Sequence, residues 1–300
     1  MTFFRTKSIQ QADTLTAWLF LSPTLLIFVS LVIFPVAVSF FLAFSSWNFM
    51  KGLGNMKFIG LENFFRLTQD RNFKPAITNT FIYTITTVPV GLLLSMTIAY
   101  LLNGKIFGMK ILRLCFFIPY ISSTVAMAAV FKVLFRSNGI MNQVLLNIFN
   151  ISITKDWFAA PELNKIPIII FSIWSVIGYE LVIYLAALQQ ISPSLYEAAD
   201  IDGASGIRKF LRITIPMISP TTFYLLIVRL IATFKIFTSV NVMTMGTYSR
   251  FSTSMVMEIY RRGFNSYDFG YASAQAWILF MLILAVTVIQ FWGQKKWVHY

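Results

Sequence analysis

The sequence has little of what catalytic and metal sites are usually built from. It holds one cysteine, Cys115, and one histidine, His299, in 300 residues. A disulfide framework and a cysteine metal site are therefore excluded, and no credible nucleophile–histidine triad or metal cluster can be assembled. There is no GxxxxGK[ST] stretch, so nothing here cradles a nucleotide's phosphates. Acids are scarce too, with 11 Asp and Glu against 24 Lys and Arg. The resulting net charge of +13 would point to nucleic acid in a soluble protein, but the basic residues are scattered over short loops, which suits anionic lipid better. No period of 20 to 50 residues repeats, no stretch is of low complexity and no long linker divides the chain.

What is abundant is apolar surface. With 57% hydrophobic and 17% aromatic residues and a mean hydropathy of +0.73, the chain carries more than one soluble core hides, so the bilayer is its solvent. A spanning helix needs about 20 mainly apolar residues. Six segments qualify, at 16 to 44, 76 to 102, 112 to 136, 166 to 190, 221 to 242 and 270 to 293. The expected fold is an all-α membrane protein of six transmembrane helices in a single domain, 1 to 300, with an extra N-terminal helix at 16 to 44 and a core at 76 to 293. The first segment is too long for a signal peptide, and no small-residue cleavage pattern follows Phe34-Pro35, so it reads as retained. Prolines 35, 89 and 119 lie in or near spans, where neighbouring helices satisfy the backbone groups a kink frees.

Counting Lys and Arg does not orient the chain. With a cytoplasmic N terminus, ten lie inside, among them Lys105 and Arg113, and eleven outside, so the positive-inside rule is silent. The loops at 45 to 75, 137 to 165 and 243 to 269 are larger than the turn at 103 to 111.

The connection at 191 to 220 is unlike the others. YEAADIDGASGIRKFLRITIP, from Tyr196 to Pro216, gathers Glu197, Asp200, Asp202, Arg208, Lys209 and Arg212 between two oily runs. Ser192-Pro193 is a helix start. Ser194 and Glu197 have capping-box spacing, and the three acids are expected at the positive end of the helix dipole. Gly203 accepts the left-handed conformation that ends helices. A second short helix is expected over about 204 to 214, ended by Pro216. Leu195, Ala198 and Ala199 share one face, and Ile207, Phe210 and Leu211 another. A pair of interfacial helices on lipid is the alternative. Ala198-Ala199 is a poor lipid anchor and three acids would be repelled by an anionic leaflet, so composition favours docking to a protein.

The spacing resembles the EAA loop of the membrane subunits of ABC importers: Glu197, Ala198, Ala199, then Gly203, then Ile213, Ile215 and Pro216, with Ile where that family usually has Leu. LFLSPTLLIFVSLVIFPVAVSFFLAFSSWN, FIGLENF at Phe58 to Phe64, FIPYISS at Phe117 to Ser123, TFKIF at Thr233 to Phe237 and FGYASA at Phe269 to Ala274 also look like permeases of binding-protein-dependent sugar importers of the maltose and glycerol-phosphate type. The resemblance implies a type I importer permease (MetI-like) fold in the cell membrane, with both termini and the coupling helices (about 192 to 216) cytoplasmic. It implies a second related permease, two ATPase subunits that bind ATP and Mg, an extracytoplasmic sugar-binding protein, and no cofactor or enzymatic activity in this chain. ATPase coupling would fall to Glu197, Ala198, Ala199, Asp202, Gly203, Arg208, Ile213, Ile215 and Pro216. One departure is that the Gly-Gly-Pro often found after the fifth span is replaced by MTMGTYSRFST.

Polar residues at membrane depth are candidates for a translocation path. Glu180 and Arg229 share a depth of roughly 12 to 15 Å from the inner end of their spans at 1.5 Å per residue. They are placed to pair, either as a packing lock or as part of the path. Lys235 lies deeper, at roughly 21 Å. Trp174, Tyr179, Tyr184 and Asn241 offer the aromatic faces and amide that suit sugar rings, though aromatics also serve as core and interface anchors. A cargo other than a neutral sugar, such as a glycerol phosphodiester or acidic oligosaccharide, is permitted by Arg229 and Lys235. An ion-coupled secondary transporter would need a half-chain repeat and membrane carboxylates, of which only Glu180 qualifies.

Overall fold

A computed structural model describes residues 3–104, 108–151, 153, 155–246 and 249–298. Lys105 and His299 lie outside them. The helices are α1 (Phe3–Phe28), α2 (Phe34–Ala43), α3 (Glu62–Gln69), α4 (Phe73–Leu101), α5 (Met109–Ile121), α6 (Thr124–Leu134), α7 (Ile140–Phe149) and α8 (Ile166–Leu188). After these come α9 (Pro193–Ile201), α10 (Gly206–Lys209), α11 (Ile215–Met217), α12 (Ser219–Phe234), α13 (Thr238–Met243), α14 (Met255–Tyr260) and α15 (Phe269–Gln294). Two short strands, β1 (Ser45–Ser46) and β2 (Lys57–Phe58), pair antiparallel with Ser45 opposite Phe58.

Four helices are long and apolar enough to cross a membrane singly: 16–43, α4, α8 and α15. Two helix pairs meet the same test together but are bent, α5 with α6 at 98° and the 206–217 segment with α12 at 68°, which makes six spans if each pair is one broken span. The expected third span, 112 to 136, is therefore broken. Pro119 removes a donor near the end of α5, and Ser123 caps α6 by accepting from the Ala126 amide. The expected fifth span, 221 to 242, also divides, since α12 stops at Phe234 and α13 starts at Thr238.

Pro216 does not end the helix after α10. A π turn, Phe210–Thr214, precedes it, and the Ile215 amide bonds five residues back to Phe210. Pro35 follows the π turn Val29–Ile33 at the same spacing, with Phe34 bonded to Val29. In each case the carbonyl four residues before the proline lies inside the wider turn. Shifting the pairing there accommodates the ring where a regular helix would clash with it.

The chain forms two compact units, 1–67 with 261–277 and 68–260 with 278–300. In the first, Asn63 at the base of the hairpin donates to the carbonyls of Ala43 and Ser45. Arg66 pairs with Asp268 at 3.3 Å and covers the Tyr271 ring. Side chains from 16 to 41 are almost all exposed and apolar, a surface suited to lipid.

The second unit is built on α4, α8 and α12. Leu92, Met96, Leu181, Leu185 and Leu225 form one core cluster, and Tyr83, Ile168, Phe171 and Val240 a second. In lipid, apolar contact alone gives little net drive to association, so close approach and polar locks must specify the packing. Gly178 supplies the first. A Cβ there would overlap the Phe116 carbonyl, so only glycine lets α8 lie this close to α5. The buried hydroxyls of Thr80, Thr84 and Thr87 on α4 donate to carbonyls one turn back, which leaves none of the three bare in an apolar surround.

Candidate functional site

The 193–217 segment is a pair of short helices at the C-terminal end of α8. Ser192 stands at the N-cap of α9 and Pro193 at its first turn. Gly203 takes φ +70°, and the Ala204 amide bonds to the Ala199 carbonyl, closing the helix through a left-handed residue. Ser205 caps α10 by accepting from the Arg208 amide.

Two local expectations are corrected here. Ser194 and Glu197 make no capping box, because α9 starts earlier and the Ser194 hydroxyl pairs with that of Ser192 at 2.8 Å. The acids are not at the positive end of α9 either. Glu197 is mid-helix, and Asp200 and Asp202 stand at its last turn and C-cap. Asp200 is met instead by Lys209 of the second helix at 2.7 Å.

The knob is braced from inside and open outside. Tyr196 shares a hydrogen bond with Thr214 at 2.9 Å, and the Phe210 ring packs on Tyr100 of α4 at 4.7 Å. Outward, Ile201 is 88% and Ile207 74% exposed, with Glu197 and Ala198 also uncovered. A groove of about 460 Å³ between the helices is lined by Ala199, Asp202, Arg208, Lys209, Arg212 and Ile213. Ile215 and Pro216 are half-buried.

At mid-membrane Arg229 Nε lies 3.1 Å from Glu180 Oε1. Ser95 of α4 donates to the other carboxylate oxygen at 2.7 Å, and Arg229 Nη2 donates to the Ser172 carbonyl at 2.5 Å. Both charges are buried, which ties α4, α8 and α12 at one level.

Arg229 stands between two cavities. One, of about 310 Å³, is lined by Thr124, Ser172, Ser175, Thr233 and Ser239 together with the apolar Phe171, Val176, Ile236 and Phe237. The other, of about 190 Å³, runs along Tyr120, Val176, Tyr179 and Glu180. Tyr120 and Tyr179 are stacked with centroids 4.8 Å apart. Of the path candidates, Tyr179, Glu180 and Arg229 meet here. Trp174 packs on Phe131 instead, Tyr184 is wholly buried in the first core cluster, Lys235 is exposed at the end of α12, and the Asn241 carbonyl accepts from Gly246; none of the four lines either cavity. Sequence reading passed over Tyr120, Ser172, Ser175 and Thr233. The signal was present, since Ser172, Ser175, Val176 and Tyr179 follow one helical face.

The fold and this knob define an importer-type membrane subunit. Residues 88–297 match the model of the binding-protein-dependent transport system inner membrane component, and the chain belongs to that family. It is 32% identical over 302 residues to the probable ABC transporter permease protein YesP of Bacillus subtilis, covering 99% of this chain and 95% of that one. It is 30% identical to the lactose transport system permease protein LacF of Rhizobium radiobacter, with 97% of each chain covered. Among solved structures it matches a chain of a bacterial alginate ABC transporter, in complex with an alginate pentasaccharide-bound periplasmic protein, with TM-score 0.79 over 97% of this chain and 96% of that one at 24% identity, a likeness of fold.

Proposed function

We propose that this chain is one half of the membrane pathway of an ATP-driven importer for a sugar or oligosaccharide delivered by an extracytoplasmic binding protein. The observation that carries the reading is the knob, with Ile201 and Ile207 uncovered beside charged residues on its outer face yet fastened inward to α4 through Tyr100. A lipid role would not require that fastening. The sugar assignment is supported by the lactose system relative.

A second related permease completes the pathway, and two ATPase subunits hold ATP and Mg; this chain binds no nucleotide and has no cofactor. The knob and both termini face the cytoplasm. Glu197 and the Ala198-Ala199 face meet the ATPase subunit, with Asp202, Gly203, Arg208, Ile213, Ile215 and Pro216 fixing the shape. Closure of the ATPase dimer draws the knobs together. Phe210 on Tyr100 passes the displacement to α4, and the Ser95–Glu180–Arg229 lock carries α8 and α12 with it, as a rigid-body switch between access states. The breaks at 122–123 and at Ile218 are the hinges.

Reconstitution with the partner permease, ATPase and loaded binding protein tests this. Glu197→Lys and Gly203→Pro should each abolish sugar-stimulated ATP hydrolysis and uptake while membrane yield is kept. Proline cannot adopt φ +70°. Normal transport by both variants would remove the knob from the coupling role.

A further inference from the structure

A further cavity of the second unit lies outside the path. It measures about 680 Å³ and lies where the N-terminal ends of α4 and α8 meet the 249–251 loop. This is the end of α8 opposite the knob. Four cations line it, Arg71, Lys74, Lys165 and Arg250, against one acid, Asp70. Among the described residues no ion pair involves any of the four. The remaining wall is mixed, with Thr68, Gln69, Thr78 and Asn79 beside the apolar Pro75, Ile82 and Phe251.

The arrangement is held. Asn79, buried on α4, donates to the carbonyls of Arg250 and Thr253 at 3.0 Å each, which fixes Arg250 over the cavity. Lys165 stands at the N-cap of α8, half-buried, and burial pushes its ammonium below the ordinary lysine range. Four like charges around one concavity repel one another, and an anion between them relieves that repulsion. Lys165 is also seven residues before Ser172 on α8, two helical turns above the path on the same face.

We infer that this cavity is an entry site for an acidic oligosaccharide, its carboxylates taken by Arg71, Lys74, Lys165 and Arg250 and its hydroxyls by the neutral wall. The inference rests on the importer reading and narrows its cargo. The volume is that of a small-ligand site, whereas a protein edge would find a flatter surface. Four cations exceed what one phosphate monoester neutralises, so several acidic groups on one chain fit better than one. Guanidinium forks bind carboxylate in two-point geometry, and the neutral amides and hydroxyls serve the sugar ring.

The test uses the full chain in phosphatidylcholine nanodiscs, with binding of trigalacturonate, maltotriose and glycerol 3-phosphate read by calorimetry. Trigalacturonate should bind at least tenfold more tightly than either other probe and weaken as salt rises. Lys165→Gln with Arg250→Gln should lower that affinity at least tenfold, and Lys74→Gln alone should lower it less, with thermal melts matching the parent. Equal binding of maltotriose or of glycerol 3-phosphate, or parent affinity in the double variant, would overturn the assignment. So would loss of the signal when phosphatidylglycerol replaces phosphatidylcholine, which would give the cavity to a lipid headgroup. The two readings fail separately. A reconstituted importer that responds to neutral cargo, in a manner sensitive to Glu197→Lys, while the chain ignores trigalacturonate overturns only the cavity assignment. A chain that binds trigalacturonate but never stimulates ATP hydrolysis with any partner set overturns only the importer reading.

Discussion

Arg229 and Glu180 show what a buried ion pair does between spanning helices. Each charge at mid-membrane is costly alone, and the geometry answers each with its partner plus one further hydrogen bond, from Ser95 to Glu180 and from Arg229 to Ser172. Breaking such a pair by removing one member costs about 3 to 5 kcal/mol. Arg229→Glu alone should therefore reduce membrane yield and the melting temperature in detergent. Adding Glu180→Arg should recover only part, because the new carboxylate at 229 faces the Ser172 carbonyl and the new guanidinium at 180 gains little from the Ser95 hydroxyl. Absence of any recovery in the double variant would mean that the pair does not couple the helices. Gly178 makes a second residue-scale case. Its missing Cβ is where the Phe116 carbonyl sits, and backbone cannot step aside as a side chain can. Gly178→Ala should cost about 1 to 3 kcal/mol by overpacking, read as a lower melting temperature, whereas Gly293→Ala, with open space around it, should not lower it.

Among the elements, the knob depends on bracing more than on its own helices, which are too short to persist alone. Tyr100→Ala removes the ring beneath Phe210 and the contact to the Gly206 carbonyl. In the reconstituted importer the expected result is ATP hydrolysis that continues with fewer sugars moved per ATP, because the knob still docks but no longer moves α4. An unchanged ratio would send the coupling through another contact. The knob was legible in the sequence because its signals are local, a proline at the start of its first helix, a left-handed glycine after it, and charges in an oily chain. The bends were not. The serine pair at 122–123 and the short break at 235–237 change the path of the backbone with little interruption to the run of apolar residues from which spans are counted, so 112 to 136 and 221 to 242 each read as one helix. The position of the acids at the end of α9 was hidden for a related reason. An exposed Lys209–Asp200 pair is of the same order as the dipole preference and offsets it, and a cross-helix contact is invisible until the turn is built. In the path, formal charge at depth marked Glu180 and Arg229, while Trp174 and Tyr184 show that an aromatic side chain reads the same in a core as beside a cavity.

On the scale of the whole molecule the open question is direction, since ten basic residues against eleven give the positive-inside rule nothing to act on. The fold makes the two faces chemically distinct. One carries the knob with Ile201 uncovered, and the other carries the cationic cavity with Lys74 on its rim. The single cysteine makes the assignment simple to test, because Cys115→Ser leaves a background with no other thiol. In intact cells a membrane-impermeant maleimide should label Lys74→Cys and leave Ile201→Cys untouched, and permeabilisation should expose the second. Co-expression with the ATPase subunit should then protect Ile201→Cys again, since the same apolar surface cannot be both labelled and docked. Labelling of Ile201→Cys from outside would invert the molecule and with it the direction of transport. Labelling after permeabilisation with no protection by the ATPase would keep the orientation and move the docking contact off this face of the knob.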